Sequence, residues 1–436
     1  MSGGLVLIVL AAAAAIPYWL WSRHEHGRRR RARSIEADLA ELGDDLVPSS
    51  IHPEVDLDDC IGSGACVRAC PEHDVLAITD GRARLINPLA CVGHGACLAA
   101  CPVGAIKLVF GTATRGVELP RVSPTFETTQ AGIYVVGELG GMGLIRNAIE
   151  QGRQAADAIA RTGRRGGPGE LDAIVIGAGP AGIAATLGLM AHGRKVVLLE
   201  QDQFGGTIRH YPRSKVVMTG TLDLPGYGRV RRRTMAKEDL IELWNDIRER
   251  TRLPLREGVR VEEIVAAGAA WRVRSADWDD VAATVVLALG RRGAPRRLDI
   301  PGEDLGHVFY RVTEPEPFTG QRVLVVGGGN AAADCALGLA ESKLPAQVGL
   351  SYRRAVLGRL RGSVRARIEA AFAAGTIVPH LETEVVAIAS HHVALRGKGG
   401  LRELATDAVV VQIGGTSPRA LLHSVGIELI EKRGEA

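Results

Sequence analysis

Residues 171–200 read LDAIVIGAGPAGIAATLGLMAHGRKVVLLE. An apolar strand runs into a turn with glycines at 177, 179 and 182, then into an apolar-faced helix and a second strand that ends in Glu200. Each part has a physical task. The first glycine makes the tight turn, the second lets a pyrophosphate approach the backbone, and the third lets the helix pack on the strand. The helix start after Pro180 offers the free amides of its first turn to an anion, and a carboxylate about twenty residues on suits a ribose hydroxyl. The stretch therefore predicts a βαβ dinucleotide-binding unit whose ligand contacts are Gly177, Gly179, Pro180, Ala181, Gly182 and Glu200.

A second copy of the pattern is QRVLVVGGGNAAADCALGLAE, residues 321–341, with Gly327, Gly329, Asn330, Ala331 and Ala332 at the corresponding turn. Its second strand leads to LSYRRAVLGR, residues 350–359, where no acid stands. Arg353 and Arg354, with Arg359 as a further candidate, suit a 2′-phosphate, so NADP(H) is expected here before NAD(H). The competing reading is an ordinary basic surface turn. Cys335 has no second cysteine near it and reads as a core residue.

Six of the seven cysteines lie in two runs, CIGSGACVRACP at 60–71 and CVGHGACLAACP at 91–102. Such clustering suits metal ligation better than disulfides. Zinc, or a module held by packing alone, stays open on the spacing. The runs resemble the paired CxxCxxCxxxCP runs of two-cluster bacterial ferredoxins, in which the last cysteine of each run ligates the other cluster. That resemblance implies Cys60, Cys66 and Cys101 on one cluster and Cys91, Cys97 and Cys70 on the other. Both runs lack the second cysteine; Ser63 and His94 stand there. Three thiolates imply a 3Fe–4S cluster, or a 4Fe–4S cluster with one distinct iron, and His94 is a better nitrogen ligand than Ser63 is an oxygen ligand.

Two dinucleotide folds, one inserted in the other, resemble the flavin-dependent pyridine nucleotide-disulphide reductases, and the low-molecular-weight thioredoxin reductases above all. VVLALG at 285–290 and PGED at 301–304 match that family's crossover into the nicotinamide domain, and VVVQIGGTSP at 409–418 its return. The resemblance implies FAD in the first fold, with Gly205, Gly206 and Thr207 passing the flavin. The family's final strand, Gly-Asp pair and helix are missing after GIELIEKRGEA but are matched upstream in residues 115–159. There Gly137 and Glu138 stand for the Gly-Asp pair, and Arg146, Asn147 and Ala148 open the helix. This implies a circular permutation, which costs little where old termini meet at a surface. The family's redox dithiol is absent from residues 308–329, which contain no cysteine. No acid–base or nucleophilic catalytic residue is expected, because the cofactors carry the chemistry.

At the N-terminus, the uncharged run from Gly3 to Trp21 would span roughly 28 Å as a helix, and RHEHGRRRRAR follows it. This predicts a single-pass anchor in the cytoplasmic membrane, with the remaining domains on the cytoplasmic side. Without that basic stretch the formal charge of +4 nearly vanishes, so nucleic acid is not an expected partner. Glycine, 54 of 436 residues, exceeds the usual ~7% and fits a chain rich in phosphate-binding turns.

The expected fold class is α/β, with two doubly wound folds preceded by a small α+β ferredoxin-like domain and a transmembrane helix. The partition is 1–22 anchor, 23–52 juxtamembrane tether, 53–110 iron–sulphur domain, 111–163 displaced part of the FAD domain, 171–293 first part of the FAD domain, 294–405 NAD(P) domain and 406–436 return segment. The expected function is a membrane-anchored flavoprotein moving electrons between NAD(P)H, FAD and iron–sulphur clusters. Its expected partners are membrane lipid, a one-electron carrier or membrane redox protein, and a second copy of the chain. The alternatives are a thioredoxin-reductase-like disulphide or quinone reductase with another acceptor, and a non-enzymatic redox sensor.

Overall fold

The computed structural model describes residues 3–40, 51–72, 74–91, 93–112, 116–141, 143–211, 213, 216–232, 234–290, 295–358, 360, 362–415 and 418–434. The chain divides between Val109 and Phe110 into two units.

The first unit begins with one helix, Gly3–Ala40, that carries Pro17 inside it. Alanine, leucine, arginine and glutamate are strong helix formers, so the helix passes from the apolar run into the basic one without a break. Its last turns bury Ala32 and Ile35 against Ile86, and Arg31 meets Asp74 at 2.6 Å. This corrects the expectation of an anchor followed by a tether. Among the described residues no helix is long and apolar enough to cross a membrane. The element that contains the apolar run also contains Arg23, Glu25, Arg28 to Arg31 and Arg33, charges that are costly to place in a bilayer. The transmembrane helix, the lipid partner, the cytoplasmic-membrane location and the membrane part of the expected function all fall with it. Nothing in the described residues speaks for the expected second copy or redox partner.

The cysteine part is built on two small antiparallel pairs. His52–Val55 pairs with Ile106–Val109, and Leu76–Thr79 forms a hairpin with Arg82–Leu85. Asp80 and Gly81, at φ 51° and 76°, supply the left-handed pair that a two-residue hairpin turn needs. Two five-residue helices, Ala65–Ala69 and Ala96–Ala100, follow the two cysteine loops.

In the second unit, one sheet runs in the order Leu255–Arg256, Val196–Leu199, Leu171–Ile176, Asp279–Leu287, Ala270–Arg274 and Glu263–Ala267. Leu171–Ile176 is buried along its whole length, as a parallel strand covered on both faces must be. Ile133–Val135 joins this sheet too, parallel to Asp279–Leu287 with Ile133 opposite Val285. The helix Ile145–Arg161 lies close against Pro180–Ala191, and the closeness comes from small residues. A Cβ on Gly152 would stand 2.2 Å from the Ala181 carbonyl oxygen, and one on Gly188 would stand 2.6 Å from Ala156 Cβ.

A second, parallel sheet has the order Val308–Phe309, Ala408–Val411, Arg322–Val326, Gln347–Tyr352 and Val378–Leu381. An antiparallel layer of Thr383–Ile388, His392–Gly397 and Gly400–Ala405 accompanies it. Ala408–Val411 belongs to this sheet although it lies beyond the expected boundary at residue 405. The return ends in Leu429–Lys432, which pairs antiparallel with Val117–Pro120.

Candidate functional site: two glycine turns and two cysteine cavities

The turn after Leu171–Ile176 uses its three glycines for three different reasons. Gly177 has φ 102°, and a Cβ there would stand 2.5 Å from the Ala288 carbonyl oxygen. A Cβ on Gly182 would stand 1.9 Å from the Gly177 carbonyl oxygen, so helix and turn touch. Gly179 has φ −80° and no protein atom within 4 Å of a Cβ built on it. Neither backbone nor packing requires glycine there, so the open face is what a close-approaching ligand would use. Gly179 caps Pro180–Ala191, with Pro180 in the first turn where a missing N–H costs nothing.

Gly205 and Gly206 lie on this turn. Gly205 N donates to Ala178 O at 3.1 Å, and a Cβ on Gly206 would stand 3.2 Å from Gly179 Cα. Thr207 is exposed beside them. Gly137, at φ 80°, would bring a Cβ 2.9 Å from Ala181 Cβ and 3.9 Å from Ala148 Cβ. The structure thus brings Gly137, Ala148, Ala181, Gly179 and Gly206 to one place, from segments far apart in sequence. Glu138 follows Gly137 in the short helix Gly137–Gly140, Asn147 is half-buried, and exposed Arg146 approaches Gly220.

Glu200 is buried, and its carboxylate accepts from Ala178 N at 2.8 Å and Asp202 N at 3.0 Å. Burial pushes its carboxyl up from the usual range against the pull of those amides. A carboxylate has about four acceptor sites, so capacity for a ribose remains, but its first task here is to hold the turn. Sequence reading missed that task. It also missed Gln151, whose Oε1 accepts from Gly137 N at 2.8 Å and fixes the Gly137–Glu138 corner.

The second turn repeats the construction. Gly327, at φ 147°, would bring a Cβ 2.3 Å from the Gln412 carbonyl oxygen and 3.0 Å from Ala332 Cβ. Gly329, like Gly179, has no protein atom within 4 Å of a Cβ built on it, and it caps the helix Asn330–Ser342. Ala331 is half-buried behind Asn330, and Ala332 is fully buried. Arg353 is exposed and Arg354 half-buried just past Gln347–Tyr352, while Arg359 lies outside the described residues. Cys335 is buried, and burial pushes its thiol up to about 12.

The six clustered cysteines line two cavities. Cys60, Cys66 and Cys101 face one together with Gly62, Ser63 and Gly64; Cys70, Cys91 and Cys97 face the other together with His94. Each cavity takes two cysteines from one run and one from the other. None of the six is in a disulphide, and burial raises Cys66 and Cys97 and pushes Cys70 and Cys91 up to about 11. Among the described residues no group of three or more His, Cys, Asp or Glu is gathered as a single metal ion would require. A lone zinc draws its sulphurs to ~2.3 Å, whereas a cluster keeps each thiolate on a separate iron, so three thiols that line one cavity without converging on one point fit a cluster better than zinc.

The loop glycines serve close approach first. A Cβ on Gly62 would stand 2.0 Å from Gly81 O, and one on Gly93 would stand 2.8 Å from Ile51 O. At the two positions lacking cysteine, Ser63 Oγ accepts from Ala65 N at 3.4 Å, while His94 is a half-buried part of its cavity wall.

Comparison with known proteins agrees with both parts. The pyridine nucleotide-disulphide oxidoreductase family matches residues 174–435, and a 4Fe-4S dicluster domain matches residues 52–102. A ferredoxin–NADP reductase of Ignicoccus hospitalis is 31% identical over 57% of this chain and 78% of its own length. One from Limosilactobacillus fermentum is 30% identical over 61% of this chain and 79% of its own length. The solved bacillithiol disulfide reductase of Bacillus cereus covers 59% of this chain and 82% of its own, with a TM-score of 0.54 at 24% identity, a likeness of fold. The fold and turns define a flavin- and pyridine-nucleotide-linked oxidoreductase unit fused to a separate 4Fe–4S-type domain. The chain belongs to the pyridine nucleotide-disulphide oxidoreductase family and is an NAD(P)H-dependent flavoenzyme.

Proposed function

We propose that the chain is a thioredoxin-reductase-like NADPH oxidoreductase that reduces a disulphide or a quinone without a redox dithiol of its own. One observation carries this reading: two glycine turns of the same construction, each with an open second glycine, in a unit whose residues 308–329 hold no cysteine. FAD is assigned to Gly177, Gly179, Pro180, Ala181, Gly182 and Glu200, with Gly205, Gly206 and Thr207, and with Gly137, Glu138, Arg146, Asn147 and Ala148 at the flavin end. NADP(H) is assigned to Gly327, Gly329, Asn330, Ala331, Ala332, Arg353 and Arg354.

When bound, the flavin supplies a ring that accepts hydride from the reduced nicotinamide. The chain's own part is positioning. The helix starts at Pro180 and Asn330 present amides to phosphates, and Gln151 holds the Gly137 corner at a fixed distance from the first turn. The flavin domain is read as circularly permuted. Two facts support that: Ile133–Val135 lies in the same sheet as Leu171–Ile176, and Leu429–Lys432 pairs with Val117–Pro120. The seven-part division given above stands as part of this proposal, with the anchor and tether removed and the return segment starting after Val411.

A second reading is favoured by the names of the curated relatives, which are ferredoxin–NADP reductases: the acceptor is an iron–sulphur centre. Cys60, Cys66 and Cys101 would hold one cluster, and Cys70, Cys91 and Cys97 with His94 the other, each of 3Fe–4S or site-differentiated 4Fe–4S type. Their chemistry would be one-electron transfer. Anaerobic NADPH oxidation with a quinone, a small disulphide and a ferredoxin as separate acceptors tests both readings. Rates with the first two that survive Cys97→Ala support the main one, and rates confined to ferredoxin and lost in Cys97→Ala support the second. Flavin binding without nucleotide oxidation by any acceptor would overturn both.

A further inference from the structure

The two turns can be aligned residue by residue from their hydrogen bonds. Gly177 N donates to Leu199 O and Gly327 N donates to Ser351 O, so Ser351 corresponds to Leu199 and Tyr352 to Glu200. The residue after the first glycine is Ala178 in one turn and Gly328 in the other. In the flavin turn, Ala178 N is bound by the Glu200 carboxylate. In the nicotinamide turn, a Cβ on Gly328 would stand 2.2, 2.3 and 2.4 Å from Cε2, Cδ2 and Cζ of Tyr352. By register Tyr352 thus stands where Glu200 stands, with its ring packed on the Cβ side of Gly328 where the carboxylate binds the Ala178 amide. Gly328 has no positive φ to demand a glycine, so the demand comes from the ring.

We propose that Tyr352 is a specificity-determining residue of the nicotinamide site. Its ring fills the position from which a carboxylate would accept ribose hydroxyls, and Gly328 is the vacancy that admits the ring. A carboxylate there would bind the two hydroxyls of NAD(H) and repel a 2′-phosphate; an uncharged ring does neither, and leaves the phosphate to Arg353 beside it. The inference rests on the NADP(H) reading and deepens it. It also explains how selectivity is built from two changes: the arginine supplies attraction, and the loss of the acid removes the competing mode of binding.

The test measures kcat and KM for NADPH and NADH with a quinone acceptor in wild type, Tyr352→Glu, Tyr352→Phe, Gly328→Ala and Gly328→Ala/Tyr352→Ala. Tyr352→Glu is expected to lower the NADPH-to-NADH ratio of kcat/KM at least tenfold, through KM, with kcat kept. Tyr352→Phe is expected to hold the wild-type ratio, since the ring and not the hydroxyl acts. Gly328→Ala is expected to raise KM for both nucleotides, and removing the ring in the double variant to restore it. A wild-type preference for NADH overturns the NADP(H) reading. A wild-type preference for NADPH with an unchanged ratio in Tyr352→Glu overturns this inference alone. Should Tyr352→Glu not fold, failure of the double variant to restore KM overturns it equally.

Discussion

The flavin and nicotinamide turns share a plan and differ in what closes it. In both, the first glycine is pressed against the carbonyl that ends a neighbouring strand, Ala288 in one and Gln412 in the other. In both, the second glycine faces open space. The third position differs: Gly182 is forced, because a Cβ would meet the Gly177 carbonyl at 1.9 Å, while Ala332 carries its Cβ 3.0 Å from where a Gly327 Cβ would be. The closing residue differs more, a buried carboxylate in the first turn and an aromatic ring in the second. One backbone construction is kept in both turns, and the residues that close it differ.

The largest way to break the comparison is Gly182→Val. It drives a branched side chain into a backbone oxygen that cannot move without its strand, at the upper end of the about 1–3 kcal/mol typical of overpacking. Ala332→Val, in the turn that already admits a Cβ, should cost clearly less. Thermal unfolding of the two flavin-free proteins compares them, and equal losses would show that the third positions are equivalent.

Next is Glu200→Ala, which leaves Ala178 N and Asp202 N without their acceptor and should cost about 1–3 kcal/mol. The pH dependence gives a sharper sign. Burial holds this carboxyl above its unfolded value, so its proton-linked contribution is present at low pH and is lost as pH rises through the folded value. The stability difference between wild type and Glu200→Ala should therefore shrink from about pH 4 to about pH 7. Urea unfolding of flavin-free protein at both ends reads it; a difference that grows with pH contradicts the burial argument.

Smaller effects are expected at the open glycines, and they separate binding from folding. Gly179→Ala should leave the flavin-free fold within about 0.5 kcal/mol of wild type, because its methyl meets no protein atom. Flavin affinity should fall about tenfold, or about 1.4 kcal/mol. Gly329→Ala should leave flavin content unchanged and raise KM for NADPH by a similar factor. Flavin titration and steady-state kinetics distinguish the two. Loss of both ligands in both variants would mean that these faces are not where the nucleotides approach.

These differences show which parts of the molecule were legible in its sequence. The glycine turns were, because their positions are fixed by short-range sterics that leave a fixed spacing. The sharing of cysteines between runs was legible through resemblance, and the cavities bring together the same two sets of three. Residues 115–159 read as a strand, a corner and a helix in family order, and Ile133–Val135 joins the sheet of Leu171–Ile176. Other features arise only in the folded chain. Gln151 reaches Gly137 across fourteen positions of unremarkable sequence, and Tyr352 takes the carboxylate's position only once the hydrogen-bond register is known. Ala408–Val411 reads as the exit from the nicotinamide domain but lies inside its sheet. At the N-terminus, hydropathy read the first twenty residues alone, while helix propensity carried one element from Gly3 to Ala40 through the basic run.

The smallest expected effect concerns an ion pair at the first turn. Asp202, whose amide binds Glu200, also receives Arg311 from the nicotinamide side at 2.5 Å and His210 at 3.0 Å. It looks like a clamp on the flavin turn. Both partners remain well exposed, 42% for Arg311 and 36% for Asp202, so water and salt screen the attraction, and two side chains lose freedom to form it. Arg311→Gln should therefore shift stability by less than about 1 kcal/mol, and the shift should fade as salt rises. Flavin content should not change, because Glu200 and the amides it binds are untouched. Melting curves at low and high salt check this. A large loss that persists in high salt would mean that the pair acts as a clamp after all, and that the two turns differ in what holds them as well as in what closes them.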